Sequence, residues 1–345
     1  MAFWFLTIKV FPARQIGPRF EQRGKMPVIT IENVRDFPAR ARGAFVTVGN
    51  FDGVHRGHQR LLSRLRDQAD AASVPALAIT FDPHPVALLR PDKAPVPLVW
   101  PEREIALLEE AGATEVGVFR TGPWLLELSA REFFDRVIRG QLQARGIVEG
   151  PNFAFGHDRL GDVTILRSWC AEAAIDFEVV EATVIDDRLV SSSLIRQCLT
   201  EGRVEEAALL LGRPHRIRGQ VAHGAGRGAA LGFPTVNLAA VDTLVPLEGV
   251  YAGLAWVDGQ GPAWPAACNL GPNPTFGEMT RKVEAHLIGF TGDLYGKTVE
   301  LDFLERLRGT RKFSGLEELL RQIQVDIEQT RRIVSLIETL YSARR

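Results

Sequence analysis

The sequence predicts an α/β domain built on a parallel sheet, followed by a small antiparallel β-barrel with C-terminal helices. Its 345 residues exceed the usual size of one domain, so two domains are expected. As far as residue 212, apolar strand-like runs alternate with amphipathic helical ones, the pattern of a parallel sheet covered by helices. After the helix-breaking residues 212–214, short strands and glycine-rich turns take over, which indicates a barrel.

The first domain is expected over residues 27–212. The spacing of its apolar residues predicts strands and helices that alternate along the chain. The proline-rich stretch 91–101 is expected to be an irregular surface connection. Polar residues directly after the strands are site candidates, because ligands of such sheets bind beyond the carboxyl ends of the strands. The predicted strands are Phe45–Val48, Ala76–Thr80, Glu115–Phe119 and Gly146–Glu149, and the predicted helices are Leu61–Ala72, Glu102–Glu110, Arg131–Gln143 and Val204–Leu211.

The second domain is expected over residues 213–345. A covering helix is predicted for Leu316–Tyr341, since its apolar residues recur at helical spacing. The predicted barrel strands are Arg216–Val221, Val236–Leu238, Gly249–Val257, Ala263–Leu270, Val283–Phe290 and Thr298–Arg306.

Composition restricts the possible partners. The net charge is −1, with 41 basic and 42 acidic residues, which argues against a nucleic-acid or membrane-surface binder and leaves small molecules as the expected ligands. Three scattered cysteines without a Cys-x-x-Cys pair indicate a reducing, cytoplasmic environment without disulfides or structural zinc. No apolar run reaches the length of a membrane span. We expect a monomer or a weak homo-oligomer.

Residues 1–26 do not fit the domain pattern. The apolar start is interrupted at Lys9 and no small-residue cleavage site follows, so a signal peptide is not expected. The basic stretch up to Lys25 lacks periodicity, and Met26 precedes the first strand-like run. These residues are interpreted as a disordered extension or a misassigned start.

The most informative stretch is residues 49–58, which follow the strand Phe45–Val48. The chain turns at Gly49 and a helix begins near Gly57, and such a corner offers backbone N–H groups and a helix dipole to phosphate. His55 and His58 are three residues apart, on one face of the first helical turn. They could grip nucleotide phosphates. The alternatives are two surface histidines or a metal pair, for which no third ligand stands at zinc-like spacing.

Polar residues also follow the later strands. Asp82 and His84 lie in a turn stiffened by two prolines, which could equally be an ordinary rigid loop. Asn152 could read a nucleotide edge, and the nearby Phe153 and Phe155 could flank a planar ring or belong to the core. A run of three serines, 191–193, with an arginine at 196 predicts a second anion site at a helix start, or simple capping.

The second domain carries its own candidate site in residues 223–237. Glycines at 224, 226 and 228 let backbone N–H groups approach phosphate, although a flexible hairpin is the simpler interpretation of glycines alone. No Walker sequence follows. Thr235 and Asn237 share one strand face, and their oxygens suit Mg²⁺. Glu284 lies in an apolar strand, where a lone carboxylate is usually a solvated edge residue.

Taken together, these stretches resemble one family. They read Gly-x-Phe-Asp-Gly-Val-His-x-Gly-His at 49–58, Thr-Phe-Asp-Pro-His-Pro at 80–85, Gly-x-Asn-Phe-x-Phe-Gly at 150–156, Ser-Ser-Ser-x-Ile-Arg at 191–196 and Gly-Phe-Pro-Thr-x-Asn at 232–237. In collinear order from about residue 28 to 330, the chain is similar to the bacterial bifunctional riboflavin kinase/FAD synthetases. The resemblance implies a Rossmann-like HxGH nucleotidyltransferase domain followed by a riboflavin kinase-like barrel. It also implies ATP, riboflavin and FMN as substrates, with Mg²⁺.

The resemblance also assigns roles. In the first domain, His55 and His58 would hold the ATP phosphates from one side, and Ser192, Ser193 and Arg196 from the other. Further ATP contacts would come from Gly49, Phe51, Asp52, Gly53 and Asn152, and FMN contacts from Asp82, His84 and Phe155. In the barrel, Glu284 would be the general base. The remaining candidates are Gly224, Gly226, Arg227 and Gly228 for ATP phosphates, Thr235 and Asn237 for Mg²⁺, and Arg308 for flavin or phosphate.

Some residues depart from the family pattern. Ala225, Ala229, Asn273 and Gly289 stand where the family usually has other residues, which bears on ATP affinity and loop closure in the barrel. Two rival functions follow. One is an adenylyltransferase whose barrel binds flavin but phosphorylates it slowly, and the other is a nucleotide- or flavin-binding regulator without turnover.

Overall fold

The computed structural model of the chain describes residues 28–33, 35–224, 228, 231–273 and 278–342. The predicted extension 1–26 lies outside these residues, as do Ala225, Gly226, Arg227 and Ala229. The chain folds into two compact units. Among the described residues, the first unit comprises residues 28–96 and 100–190, and the second comprises residues 97–99 and 191–342.

The first unit is an α/β domain. Its strands are β1 (Ile29–Ile31), β2 (Phe45–Val48), β3 (Ala76–Asp82), β4 (Glu115–Arg120), β5 (Gly146–Glu149), β6 (Ala154–Phe155), β7 (Gly161–Asp162), β8 (Asp176–Val179), β9 (Val184–Ile185) and β10 (Arg188–Leu189). Its α-helices are α1 (Arg56–Ala71), α2 (Pro85–Leu89), α3 (Pro101–Ala111), α4 (Pro123–Leu126), α5 (Ala130–Glu132) and α6 (Val163–Glu172). Short 3₁₀ turns cover Ala39–Ala41, Pro91–Lys93 and His157–Arg159.

Six of these strands form the parallel sheet that the sequence predicts. Their order is β1-β4-β3-β2-β5-β8, and every pair of neighbours is parallel. All residues of β2 and β5 are buried, which explains why these strands are mainly apolar and do not alternate with polar residues. After β2 the chain builds the sheet toward β3, and later returns to add β5 on the opposite side. The gap between β2 and β5 is therefore the topological switch point, where such sheets bind ligands.

One predicted helix differs in its winding. The sequence predicts an α-helix over Arg131–Gln143, but after α5 the chain continues as a π-helix, Phe133–Gln141. A capping box between Ser129 and Glu132 begins this segment. The wider turn keeps the adjacent pairs 133/134 and 137/138 together on the buried face.

The second unit contains a closed antiparallel barrel, which confirms the predicted second fold. Its helices are α7 (Ser192–Thr200), α8 (Val204–Leu211) and α9 (Leu316–Ser342). Its strands are β11 (His215–Ala222), β12 (Val236–Ala239), β13 (Gly249–Val257), β14 (Gln260–Asn273), β15 (Glu278–Leu287) and β16 (Thr298–Arg308), in the barrel order β11-β12-β15-β14-β13-β16. Strand β15 ends at Leu287, three residues before the predicted end, because the backbone turns at Gly289 with φ +87°.

Helix α9 covers the barrel with its apolar face. Ile333, Val334 and Ile337 pack with the buried Trp256 and with Leu304. The sequence predicted this face from helical spacing alone.

Two segments pack differently from the sequence-based expectation. Helices α7 and α8 fall in the second unit, where the Glu205 carboxylate accepts a hydrogen bond from the Arg306 N–H at 3.1 Å. The stretch 91–101 was expected on the surface, but Leu98 and Val99 are only 0% and 6% exposed. Pro97 accepts a hydrogen bond from the Leu244 N–H, so the end of this stretch belongs to the second unit.

The three cysteines, Cys170, Cys198 and Cys268, are buried and form no disulfide. Burial raises the pKa of Cys170 and of Cys268 to about 12. Within the described ranges, no helix has the length and apolar character needed to cross a membrane.

Candidate active sites

The corner between β2 and α1 is a compact turn. Gly53 and Val54 both have positive φ, +84° and +35°, and the Val54 N–H donates to the Phe51 carbonyl at 2.7 Å. His55 caps α1, since its Nδ1 accepts a hydrogen bond from the His58 N–H at 3.3 Å. A neutral His55 therefore carries its proton on Nε2. That atom can donate to an anion placed at the helix N-terminus.

The two predicted histidines are held face to face. The rings of His55 and His58 stack with centroids 3.6 Å apart and an interplanar angle of 18°. A Cβ on Gly57 would lie 3.1 Å from the His55 ring, so this position favours glycine. The buried Phe51 ring contacts His58 edge-on at 5.2 Å, and a Cβ on Gly49 would lie 3.3 Å from Phe51. The motif residues thus fix the orientation of the imidazoles.

A carboxyl group that the sequence analysis missed lies close to this turn. Glu104, on α3, accepts a hydrogen bond from the Thr80 hydroxyl at 2.5 Å. Burial raises the pKa of Glu104 to about 7; the hydrogen bond opposes the shift, whereas the charges of Asp52 and Asp82 add to it. Glu104 lies three residues before the buried Leu107, so both residues share one face of the helix. That spacing was the signal in the sequence that Glu104 faces inward.

Asp82 and His84 lie at the carboxyl end of β3, as predicted, but each has a structural partner. Asp82 forms an ion pair with Arg120. The His84 Nδ1 accepts a hydrogen bond from the Val86 N–H at 3.0 Å and so caps α2. The Thr121 hydroxyl donates to the carbonyl of residue 83 at 2.6 Å. The loop is therefore rigid.

The residues after β5 divide between surface and core. Asn152 is exposed, so its amide is accessible. Phe155 is 8% exposed and belongs to the hydrophobic core, where it contacts Trp169. Phe153 is partly buried and stacks on Phe155 with centroids 5.3 Å apart. Of the two aromatic rings, Phe153 is thus the more accessible to a ligand, although Phe155 was the FMN candidate.

The serine-rich block begins α7 in the second unit. Ser191 is the N-cap, and its hydroxyl accepts a hydrogen bond from the Leu194 N–H at 3.2 Å. Capping therefore accounts for one serine of the three. Ser192 and Ser193 follow in the first turn, and the partly buried Arg196 lies one turn further along.

Six of the predicted barrel residues line one cavity of about 640 Å³. They come from the loop before β12, from β12 itself, from β15 and from the end of β16. The apolar part of the lining includes Phe313 and Ile327, from the segment after β16 and from α9. A volume of this size suits a small organic ligand. The six residues are Gly224, Gly228, Thr235, Asn237, Glu284 and Arg308.

Close packing explains the described glycines of the loop. A Cβ on Gly224 would lie 2.1 Å from the Asn237 Nδ2, and one on Gly228 would lie 3.0 Å from the Thr235 Oγ1. Any larger residue would displace these two polar side chains. Asn237 and Glu284 are direct partners in the β12–β15 ladder, so their backbones face each other across the cavity wall.

Glu284 and His286 occupy the less buried side of β15, while the alternating residues Val283 and Ala285 are buried. Both line the cavity. The His286 Nδ1 lies 2.7 Å from the Pro234 carbonyl oxygen, to which the ring N–H donates. His286 therefore holds the loop that leads to Thr235, a role that the sequence analysis did not assign.

Arg308 is tied to the covering helix. Its Nη2 lies 2.8 Å from the Asp326 Oδ2, and its Nε lies 3.2 Å from both carboxylate oxygens. Arg308 thus lines the cavity and links β16 to α9. Sequence reasoning missed Asp326, although a carboxylate beside the apolar Ile327 on the predicted packing face was a signal.

The cavity residues fit a magnesium ion that is shared with phosphate. The Thr235 hydroxyl and the Asn237 amide oxygen are hard donors, and only glycine at 224 and 228 avoids displacing them. Among the described residues there is no cluster of three His, Cys, Asp or Glu side chains that could hold a metal.

Comparisons with known proteins agree with this division of the chain. The FAD synthetase family model matches residues 37–194, and the riboflavin kinase family model matches residues 211–334. A bifunctional riboflavin kinase/FMN adenylyltransferase from Pseudomonas fluorescens is 37% identical over 295 residues, which cover 85% of this chain and 94% of the relative. The Bacillus subtilis protein of that description is 34% identical and covers 84% and 92% of the two chains.

A solved structure shares the fold over both domains. It is described as a macrolide-efflux protein from Streptococcus pneumoniae, with a TM-score of 0.78 and 30% identity, and the match covers 88% of this chain and 98% of that chain. That description concerns the Streptococcus protein, and the similarity supports the fold here. With two family models matched in order and relatives aligned over most of their length, the chain belongs to the bifunctional riboflavin kinase/FMN adenylyltransferase family.

Proposed function

We propose that this protein makes FAD in two steps, with the residues described above in the reacting positions. As a member of its family it is a transferase with both activities, a riboflavin kinase and an FMN adenylyltransferase. The barrel phosphorylates riboflavin with ATP, and the α/β domain joins FMN to the adenylyl group of a second ATP.

In the barrel, Glu284 accepts the proton of the riboflavin 5′-hydroxyl as that oxygen attacks the γ-phosphorus of ATP. The new P–O bond forms while the bond to the β-phosphate oxygen breaks, and FMN and ADP result. Thr235 and Asn237 hold the phosphate end of ATP together with the N–H groups of the glycine loop. Thr235 and Asn237 would also hold Mg²⁺, which would neutralise phosphate charge. Support comes from the single cavity that six of the predicted residues share.

In the α/β domain, an FMN phosphate oxygen attacks the α-phosphorus of ATP, and the bond to the departing pyrophosphate breaks. His55 and His58 stabilise the charge of the phosphates at the start of α1. Ser192, Ser193 and Arg196 are proposed to hold the pyrophosphate from the other side. No covalent intermediate with the protein is needed, so positioning supplies most of the acceleration. The stacked, capped pair of imidazoles at the switch point of the sheet supports this assignment.

The remaining site assignments stay proposals. Asn152 is proposed to read the adenine edge, Asp82 and His84 to line the FMN path, and Gly226 and Arg227 to contact ATP in the barrel. We also propose that residues 27–212 carry adenylyl transfer and that residues 213–345 carry riboflavin phosphorylation. Helix α7 then serves adenylyl transfer, although it packs within the second unit. A cytoplasmic location, a monomer or weak oligomer, and no nucleic-acid or membrane partner complete the proposal. The balanced charge and the three cysteines, which form no disulfide with one another, support it.

One assay separates this function from its rivals. The protein is incubated with riboflavin, ATP and Mg²⁺, and the products are resolved by chromatography. Formation of both FMN and FAD supports the proposal. FAD only when FMN is supplied would indicate a barrel that binds flavin without efficient phosphorylation, and no product would indicate a binding protein.

Two variants then test the assignment of residues. His58→Ala is expected to stop FAD formation while FMN accumulates, because only the first domain loses a phosphate ligand. Glu284→Gln is expected to stop FMN formation, whereas added FMN is still converted to FAD. Each variant leaves one activity as an internal control for folding. Near-normal FAD formation by the first variant, or near-normal riboflavin phosphorylation by the second, would contradict the assigned roles.

A further inference from the structure

The switch point of the sheet contains a buried carboxyl group to which neither reaction assigns a role. Glu149 is the last residue of β5 and is 3% exposed. Its Oε1 accepts a hydrogen bond from the Val48 N–H at 2.8 Å. Burial raises the pKa of Glu149 well above its ordinary value, against the opposing effect of Val48 and of the Thr47 hydroxyl. Burial without a neighbouring positive charge among its causes therefore favours the neutral form of this carboxyl group.

The position of Glu149 coincides with the opening of the sheet. The pairing of β2 with β5 ends at Val46 and Ile147. Strand β2 nevertheless continues to pair with β3 as far as Val48, and β5 continues to pair with β8 as far as Glu149. If the β2–β5 ladder continued in register, Val48 would lie opposite Glu149. The side chain of Glu149 takes the Val48 N–H instead.

Glu149 therefore connects the two halves of the divided sheet. Its own carbonyl accepts a hydrogen bond from the Val180 N–H at 2.8 Å, on the β8 side. Its carboxyl group holds Val48, on the β2 side. Three residues further on, the same strand end leads to Asn152, the exposed amide proposed to read the adenine edge.

A short chain of contacts leads from Val48 to the phosphate-binding imidazoles. The next residue, Gly49, donates its N–H to the Ile79 carbonyl at 3.0 Å and packs against the Phe51 ring. Phe51 in turn contacts His58 edge-on. The position of the end of β2 thus sets the position of the turn that carries His58.

We infer that Glu149 is a positioning residue for adenylyl transfer, which fixes the end of β2 and with it the phosphate-binding turn at the point where the sheet opens. The inference rests on the proposed role of His55 and His58. A leucine in this place would fill the space but leave the Val48 N–H without its acceptor. In its neutral form the carboxyl group supplies that acceptor and adds no negative charge that would repel the bound phosphates.

The test compares Glu149→Gln, Glu149→Leu and Glu149→Met in the full chain. Gln keeps the acceptor oxygen and the shape, whereas Leu and Met keep only the volume. The kcat/KM for ATP in FMN adenylylation is measured together with riboflavin kinase activity and thermal melting. We expect Gln to remain within about threefold of the original chain and to rescue the function that Leu and Met lose. Leu and Met are expected to lower kcat/KM for ATP about 10- to 100-fold through misplacement of the turn, with kinase activity unchanged. Their melting temperatures are expected to fall as well, because the buried Val48 N–H loses its acceptor.

Three outcomes would overturn the inference. The first is a normal kcat/KM for ATP in the Leu and Met variants. The second is an equal loss in the Gln variant. The third is lower melting temperatures with loss of both activities in the Leu and Met variants, which would make Glu149 a general stabilising residue. His58→Ala is measured in parallel, because near-normal FAD formation by that variant would refute the underlying site assignment rather than the role of Glu149.

Discussion

The raised pKa of Glu104 makes the stability of the α/β domain depend on pH in a way that one substitution removes. Below pH 4.5 this carboxyl group is protonated in the folded and unfolded chains alike. Between 4.5 and about 7, the unfolded chain releases the proton while the folded chain keeps it, so the free energy of unfolding falls as the pH rises. The difference of 2.5 pH units, from 4.5 to 7, corresponds to at most about 3 kcal/mol.

Glu104→Gln keeps an oxygen that can accept the Thr80 hydroxyl and cannot ionise. We expect the variant and the original chain to differ little near pH 4.5, and the variant to be the more stable above pH 7. For a domain of this size, about 3 kcal/mol corresponds to roughly 6–12 °C in melting temperature, which is an upper limit. The measurement is the melting temperature of the first unfolding transition from pH 4.5 to 8.

Glu102→Gln is the matched control, because Glu102 is an exposed carboxylate on the same helix. Its melting curve is expected to follow that of the original chain at every pH. The reasoning is refuted if the stability difference between Glu104→Gln and the original chain stays constant over this pH range. That result would mean that Glu104 titrates alike in the folded and unfolded states.

Three further predictions concern the barrel and the metal. Gly224→Ala should lower riboflavin kinase activity at least about tenfold, because its Cβ would displace the Asn237 amide, and conversion of added FMN to FAD should not change; normal kinase activity would argue against the Asn237 role. Asp326→Asn leaves Arg308 without its charged partner and should lower barrel stability by about 1–3 kcal/mol in thermal melting, so an unchanged melting temperature would contradict the importance of this pair. Chelation with EDTA should stop both reactions, and excess Mg²⁺ should restore them; product formation in EDTA would exclude the proposed metal role.

The sequence predicted the fold class because both domains show simple periodic patterns. Strands β2 and β5 were predicted to the residue, since each is a short, mainly apolar run followed directly by glycine. The covering helix α9 followed from the 3.6-residue spacing of its apolar face. The π-helix was not predicted, because over nine residues an α-helix would bury nearly the same apolar side chains, so the apolar pattern does not separate the two windings.

The candidate sites were accessible to sequence reasoning where glycine, proline and polar residues stand at fixed spacing. Residues 49–58 and 232–237 are of this kind, since a tight backbone path needs particular residues at particular positions. Partners that are distant in the chain gave no such signal. Glu149 and Val48 are 101 residues apart, and Glu104 and Thr80 are 24 apart, so only packing brings each carboxyl group to its partner.

By itself, then, the sequence determined the order of the elements, the two domain classes and the loops that hold the polar residues, because those features depend on local spacing. Tertiary structure alone decided which polar groups are buried, and burial sets their protonation. A glutamate at the end of a strand reads alike whether water or an apolar sheet surrounds it. Only the folded domain buries Glu149 and partly buries Glu104, and that burial raises the pKa of both carboxyl groups.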